Sequence, residues 1–382
     1  MPKQIAMICP TLADQGGHEY DYTAMIASAA LAQGMDSLSI LPARAAGQFQ
    51  LPGRTEAVLP DYSYPKSVFP CLVKAAMRIL CYFYVFFRYK KPETLWFIHS
   101  TSRYEAAVMA AAWMLFPRGK QKLVLFIRQE IEASKWILIG LLKLAARRGV
   151  LFVSDSSDLT ERMSEQFRCP VALLPIPILL PKMLRRDNAA VLCGYFGAKR
   201  PSKGFQNLPA LVDAMRAIEP SACFVIQAYQ HRDDKPDAAI DGLTEHFRKA
   251  PDIRLIEQPL DGEAFGNEVA ACSIVLLPYP AEIYRTATSG IFVMAVAAGA
   301  VVVVTEGTWM ARQAKKFDFS RVVFLPDNPS PEQAGKVLRQ ALALLKNPPP
   351  LTEREILWRA NQSAENVLNL LGIFGTTTGL QT

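Results

Sequence analysis

No stretch of this 382-residue sequence supplies the roughly 20 consecutive apolar residues that a bilayer-spanning helix needs. That excludes an integral membrane protein built on helices. Low-complexity tracts are missing, and with 51% hydrophobic residues the chain is not a disordered or fibrous protein. Histidine is scarce, at four residues, and the seven cysteines (9, 71, 81, 169, 193, 223 and 272) never fall at metal-site spacing. A structural zinc centre is therefore not expected, and the thiols read as buried side chains in a reducing compartment. No His/Asp/Glu/Cys cluster suggests a catalytic metal either, so neither metal nor cofactor is expected. The opening residues, MPKQIAMICPTL, lack the apolar length and small-residue cleavage site of a signal peptide. A cytoplasmic protein is expected.

Acidic residues are also absent where they would be most informative. Residues 66–91 contain six basic side chains and no acidic one. Across residues 1–186 there are 23 Lys and Arg against 14 Asp and Glu; across residues 187–382 there are 19 against 21. The net charge of +7 thus belongs to the first half, which points to an anionic partner of that half rather than to a generally basic protein. Nothing in this pattern suggests nucleic acid.

What is present is an alternation of short apolar runs with amphipathic segments. IAMIC (residues 5–9) reads as a strand, 10–17 as a glycine-containing loop, 20–33 as a helix and 37–41 as a second strand. Gly16 and Gly17, followed by His18, open that helix; G-x-G-x-x-G and its downstream acid are absent, so this is no dinucleotide fingerprint. Residues 42–66 read as loop-rich. Residues 95–98 and 123–127 are strands ending at His99 and at Arg128, the carboxyl ends where open α/β sheets bind ligands. Three prolines, 175, 177 and 181, and a polar run at 182–188 place a boundary near 186. The expected domains are residues 1–186 and 187–350, with 351–382 as a C-terminal piece whose residues 351–371 form one amphipathic helix.

Residues 67–89 are an unusual helix candidate. At ~100° per residue, Lys74, Arg78, Tyr82, Arg88 and Tyr89 share one face, and Leu72, Ala76, Ile79, Leu80, Phe83, Phe86 and Phe87 fill the other. Two readings stay open: a core helix with a solvated basic face, or a helix on a membrane surface with Lys74, Arg78, Arg88, Lys90 and Lys91 on anionic lipid.

The second half begins with a strand at 191–196 and the loop Gly197-Ala198-Lys199-Arg200-Pro201-Ser202-Lys203-Gly204. Further on, a buried-strand run ending at Leu277 meets Pro278-Tyr279-Pro280. A polar loop containing Tyr284 leads to Thr288-Ser289-Gly290, where either hydroxyl can cap the apolar helix that follows. Gly299 ends that helix and residues 301–305 form the next strand. A helix N-terminus placed at the carboxyl edge of a sheet suits an anion.

These stretches resemble retaining glycosyltransferases of the GT-B architecture, in which two Rossmann-like, doubly wound α/β domains face each other across a cleft and a C-terminal helix crosses back to the first. Leu277-Pro278-Tyr279, Thr288-Ser289-Gly290-Ile291-Phe292 and residues 295–304 follow the donor-binding pattern P-S-x-x-E-G-F-G-L-x-x-x-E-A-x-A-x-G-x-P-V-V. Residues 197–204 resemble the family's G-R-x-x-x-x-K-G loop, with Lys203 and Gly204 in register and Arg200 standing in for the usual arginine. The pattern's two glutamates fall on Thr286 and Met294.

The resemblance implies a metal-independent transfer of a sugar from a nucleotide-sugar donor, with retention. Arg200 and Lys203 would hold the diphosphate, with Gly197, Gly204, Tyr284, Thr288, Ser289, Gly290 and Met294 around the donor and Glu257 beside the nucleobase. The loop of Gly16, Gly17 and His18 would face the acceptor, and His99 or Arg128 would lie near the reacting sugar. The basic, aromatic first half adds the expectation of a lipid-linked or membrane-proximal saccharide acceptor in cell-surface polysaccharide assembly, with the protein cytoplasmic or peripheral on the inner face of the cell membrane. The replaced glutamates keep a second reading open, a catalytically silent relative acting as scaffold or partner of an active transferase.

Overall fold

Runs of three to seven residues become strands, most of them buried and most followed by a helix that covers the sheet, the arrangement that parallel pairing requires. The computed structural model describes residues 2–12, 18–60, 68–100, 102–117, 119–178, 190–230 and 235–376. The chain divides into two compact units, Met1–Pro177 with Ser363–Thr382, and Ile178–Gln362. The boundary expected near 186 lies outside the described residues.

In the first unit the order is β1 (Gln4–Ile8), α1 (His18–Ala32), β2 (Asp36–Pro42), β3 (Arg54–Leu59), α2 (Val68–Arg88), β4 (Thr94–Ile98), α3 (Arg103–Leu115), β5 (Lys122–Phe126), α4 (Trp136–Arg147), β6 (Val150–Ser154), α5 (Ser157–Phe167) and β7 (Val171–Leu173). The second unit holds β8 (Leu192–Tyr195), α6 (Leu208–Ile218), β9 (Cys223–Gln227), α7 (Ala238–Arg248), β10 (Ile253–Ile256), α8 (Gly262–Ala271), β11 (Ile274–Leu277), α9 (Ala281–Tyr284), α10 (Gly290–Ala297), β12 (Val301–Thr305), α11 (Trp309–Lys316), β13 (Val322–Leu325), α12 (Pro331–Lys346) and α13 (Glu353–Asn361). The chain ends with α14 (Ala364–Thr376), which returns to the first unit and packs on α1.

The sheets run β3-β2-β1-β4-β5-β6-β7 and β10-β9-β8-β11-β12-β13, with every pairing parallel. In each sheet the chain winds outward from its first strand and then returns to that strand's other side. The switch points lie between β1 and β4 and between β8 and β11, and at such points adjacent loops part to leave a crevice beyond the carboxyl ends. In the first unit, α2, α3, α4 and α5 lie side by side on one face, and α1 with α14 covers the other. Phe86 of α2 meets Trp96 and Trp113 edge-on at centroid distances of 4.9 and 5.0 Å. Each such pair contributes about 0.5–1.5 kcal/mol beyond the area it buries.

Three expectations are corrected. Residues 42–66 are not all loop: β3 is an edge strand whose Arg54 and Glu56 pair with each other at 2.6 Å, and those charges hide its apolar pattern. Residues 351–371 are two helices, because the Ser363 hydroxyl accepts from the Asn366 amide and starts a new one.

The third correction concerns α2. Arg78 and Tyr82 point inward: Arg78 Nη1 lies 2.5 Å from Oε2 of the fully buried Glu105 on α3, and the Tyr82 hydroxyl donates to the same carboxylate. A carboxylate without water must be paired, and this requirement sets the rotation of α2. Arg78 is therefore unavailable to any lipid surface, while Leu80 and Phe87, expected inside, are exposed.

Candidate functional site

At the switch point of the second unit, β8 runs out at Tyr195, and Gly197 follows with φ +127°. A Cβ on Gly197 would sit 2.7 Å from Lys203 Nζ and 3.0 Å from its Cδ, so the missing side chain is the space the lysine occupies. The Gly197 amide donates to Gln227 Oε1 at 2.9 Å, and Gln227 Nε2 donates to the Gln258 carbonyl at 3.2 Å. Gln227, buried at the end of β9, thereby ties together the loops after β8 and β10. A polar amide closing the apolar run CFVIQ is its only trace in the sequence.

Pro201–Lys203 forms a single 3₁₀ turn ended by Gly204 at φ +69°. A Cβ at Gly204 would fall 1.8 Å from the Pro278 carbonyl oxygen, so only glycine lets this loop close onto the loop after β11. The Lys203 ammonium then lies 5.8 Å from the centroid of the buried Tyr279 ring, which packs on Tyr284 at 4.4 Å. Desolvation lowers the Lys203 pKa to about 8, with Arg200 adding a smaller push in the same direction. Burial raises Tyr284 to about 12, and the Arg200 charge offsets part of the rise. Burial likewise raises Tyr279, and the Ser289 hydroxyl works against that shift.

Ser289, rather than Thr288, caps α10: its Oγ accepts from the Phe292 amide at 3.3 Å. Gly290, the first residue of the helix, is exposed, and Gly299 and Ala300 close the other end by donating to Val296 and Ala295. Lys203, Tyr284 and Ser289 thus lie around the one ring of Tyr279, and Arg200 lies close to Lys203 and Tyr284. Two cations and a helix N-terminus gathered at one place suit an anion.

Other expected donor residues stand apart from this cluster or carry no acid. Glu257, after β10, is exposed and spends its carboxylate on Arg248 of α7, with Nη2–Oε1 at 2.6 Å. Met294 is half-buried on α10, and Thr286 is half-buried between α9 and α10.

The switch point of the first unit has a different character. His99, buried after β4, places Nε2 2.8 Å from Thr23 Oγ1 on α1 and 3.7 Å from the Cys9 sulfur after β1. The Thr23 hydroxyl donates to the Glu19 carbonyl at 2.7 Å, so its oxygen is left to accept, and we assign the imidazole proton to Nε2. His99 stacks on Tyr22 at 4.6 Å and 15°. The Arg128 guanidinium lies 5.4 Å from the centroid of that same Tyr22 ring and 4.7 Å from that of Phe126. Asp155, after β6, is buried close enough to Tyr22 to raise its pKa, after the larger effect of burial and against Arg128. His99 and Arg128, alternatives in the sequence, are joined through one ring.

Gly16 and Gly17 lie outside the described residues; His18 is the first residue of α1. Of the basic residues assigned to lipid, Arg88, Lys90 and Lys91 are exposed, with Lys91 2.8 Å from Asp36, while Lys74 is half-buried. Among the described residues, no group of three or more His, Cys, Asp or Glu could hold a metal ion, and no helix is long and apolar enough to cross a membrane.

No protein-family model matches this chain, and no curated protein matches it by sequence. Solved structures do. A glycosyltransferase from Rickettsia africae ESF-5 superposes with a TM-score of 0.68 at 12% identity, covering 98% of each chain. The fold is that of the GT-B glycosyltransferases. A UDP-forming alpha,alpha-trehalose-phosphate synthase from Burkholderia xenovorans, in complex with glucose-6-phosphate, has a TM-score of 0.68 at 11% identity, covering 98% of this chain and 100% of that one. A trehalose-6-phosphate structure from E. coli bound with UDP-2-fluoro glucose has a TM-score of 0.67 at 10% identity, covering 98% of this chain and 99% of that one.

Proposed function

We propose that this protein is a glycosyltransferase that moves a sugar from a nucleotide-sugar donor to a saccharide acceptor, with retention and without a metal. The observation that carries the reading is the gathering of Lys203 and the Ser289-capped end of α10 at Tyr279, with Arg200 beside Lys203 and Tyr284. A nucleoside diphosphate leaving group gains charge as the sugar–oxygen bond stretches, and preorganised cations and amides stabilise that charge most in the transition state. Lys203 is suited to this work: desolvation makes its isolated charge costly, so an incoming anion relieves a penalty already present. Two structures that share the fold support the substrate classes, one bound with UDP-2-fluoro glucose and one in complex with glucose-6-phosphate. The acceptor in this reading is lipid-linked or membrane-proximal, in keeping with the basic first half, and the setting is cell-surface polysaccharide assembly.

A thermal-shift screen of wild type and Lys203→Ala against UDP-, GDP-, ADP- and dTDP-sugars tests the donor site, since a ligand at 100 times its Kd stabilises by about 2.7 kcal/mol. One nucleotide-sugar should raise the wild-type Tm and leave the variant unmoved. The anomeric configuration of the product, read by NMR, tests retention. Met294 and Thr286, in place of two glutamates, favour one other reading, a chain that binds donor but serves as scaffold or partner of an active transferase. A clear shift with no transfer to any saccharide acceptor would decide for it.

A further inference from the structure

Turning Arg78 and Tyr82 inward leaves Val73, Met77, Leu80, Tyr84 and Phe87 exposed along α2, with Met77 and Leu80 at 64% and 67%. Their spacing of four, three, four and three residues brings them within roughly 80° of one another at ~100° per residue. At ~1.5 Å per residue the stripe is about 21 Å long. The buried Arg78–Glu105 pair holds this orientation from beneath. On the same face of the sheet, α4 adds Trp136 and Ile137, exposed at 72% and 69%. A patch this apolar is more than scattered surface leucines and calls for a partner.

We propose that the outer stripe of α2 seats the first unit on a bilayer bearing anionic headgroups. Charge decides between the two occupants that suit such a stripe. A second copy could pair helix to helix, because the three–four spacing fits a coiled-coil seam. Residues 66–91, however, hold no acid, so parallel or antiparallel pairing sets basic flanks against basic flanks. An anionic bilayer satisfies both parts at once. The apolar side chains enter the headgroup–acyl boundary, Tyr84 and Trp136 supply the aromatic residues favoured there, and Arg88 and Lys90 meet lipid phosphates. Lys90 already lies 4.2 Å from the Phe87 ring centroid, placing a cation beside the apolar stripe at its C-terminal end. This surface rests on the geometry of α2 and is independent of the transferase reading, whose acceptor it would bring within reach.

Flotation of the full chain at low salt, with phosphatidylcholine vesicles or phosphatidylcholine–phosphatidylglycerol vesicles and no nucleotide present, separates the outcomes. Wild type should float with the anionic vesicles and stay behind with the neutral ones. Arg88→Ser/Lys90→Ser should weaken partition at least about tenfold, and Met77→Ser/Leu80→Ser/Phe87→Ser should weaken it by a similar factor. Both variants alter exposed side chains and should keep the wild-type Tm. Ile356→Ser/Leu357→Ser, at exposed apolar positions of the second unit, should float like wild type. The proposal is overturned by wild type that never floats, by flotation undiminished in both α2 variants, or by equal loss in the Ile356/Leu357 control. A non-floating dimer that the Met77 triple variant dissociates would assign the stripe to a second copy instead. Donor binding plays no part in the assay, so failure here leaves the nucleotide-sugar reading intact.

Discussion

The two switch points solve the same problem with opposite materials. In the second unit backbone makes the site: two glycines in left-handed conformations let one lysine fold back and one loop close on another. In the first unit side chains make it: His99, Tyr22 and Arg128 come from three separate segments and meet in a stack, with Asp155 from a fourth close by. A backbone-built site writes itself into a short, contiguous motif and tolerates almost no substitution. A cluster of this kind is spread over more than 130 residues and should tolerate loss of one member, because the remaining rings still pack.

The sharpest break of that comparison is Gly204→Ala set against Gly34→Ala. Both glycines have positive φ, +69° and +74°, but an added Cβ meets the Pro278 oxygen in one case and open space in the other. Gly34→Ala should cost about 1–2 kcal/mol, the price of a left-handed alanine. Gly204→Ala adds a clash that forces backbone to move, for a total of about 3 kcal/mol or more. Urea unfolding at matched protein concentration measures both. Equal costs would mean that the loops after β8 and β11 part easily and that the donor patch is not locked.

Function should divide along the same line. Arg200→Ala and Lys203→Ala are each expected to lower kcat by about 10²-fold or more, as for loss of one preorganised charge-stabilising donor. Lys203→Arg should rescue only in part, since the pocket beside Gly197 is shaped for an ammonium. Arg128→Ala, in the other unit, should reduce the thermal shift caused by the donor less than either alanine variant of the second unit. Steady-state kinetics within threefold of wild type for both alanine variants of the second unit would move the diphosphate elsewhere.

This contrast also explains what could be read from the sequence. The alternation of strands and helices, the Gly197–Gly204 loop and the cap at Thr288 or Ser289 were legible because each is local, set by turn chemistry and capping over a few residues. The choice between His99 and Arg128 was not, because their relation passes through Tyr22, a helical residue that periodicity marks only as apolar. The rotation of α2 was misread for a related reason. A helical wheel assigns Arg78 to solvent unless a buried acid is known to wait beneath it, and Glu105 lies 27 residues further along the chain. Gln227 was missed since one amide at a strand end has no pattern to belong to.

A smaller effect should appear in the pH dependence of Lys203. Its folded pKa of about 8 lies below the ordinary 10.5, so between those values the unfolded chain binds more protons. Stability contributed at this position therefore rises with pH across that window, and the full cost of the buried charge is present below about pH 8. Donor binding runs the other way. It needs the ammonium, so affinity should fall above about pH 8, by at most about tenfold per pH unit. Calorimetry in buffers of different ionisation enthalpy should show proton uptake on binding at pH 9, and Lys203→Ala should abolish it. Binding without proton exchange there would separate this lysine from the anion.

The smallest expected effect concerns Met294, half-buried on α10 where the resembled pattern has a glutamate. A thioether is a weak acceptor, so it offers little to a ribose hydroxyl, whereas a carboxylate accepts two strong hydrogen bonds. Against that gain stands the loss of a partly buried apolar side chain, on the order of 1 kcal/mol. A charge at the fifth residue of an eight-residue helix gains little from the N-terminal dipole, which fades within the first turn. A hydrogen bond to a charged group contributes about 1.5 kcal/mol at the lower end, part of it offset by desolvating the carboxylate, so donor binding gains about 1 kcal/mol. The packing loss falls on free and bound protein alike and appears in the Tm. Met294→Glu should therefore tighten donor binding by roughly fivefold, with a Tm that is level or slightly lower in the absence of donor. Titration calorimetry with the nucleotide-sugar that stabilises wild type, beside a melting curve without it, measures both terms. Weaker binding together with a large fall in Tm would show that Met294 is held by packing and that α10 does not present this position to the ribose.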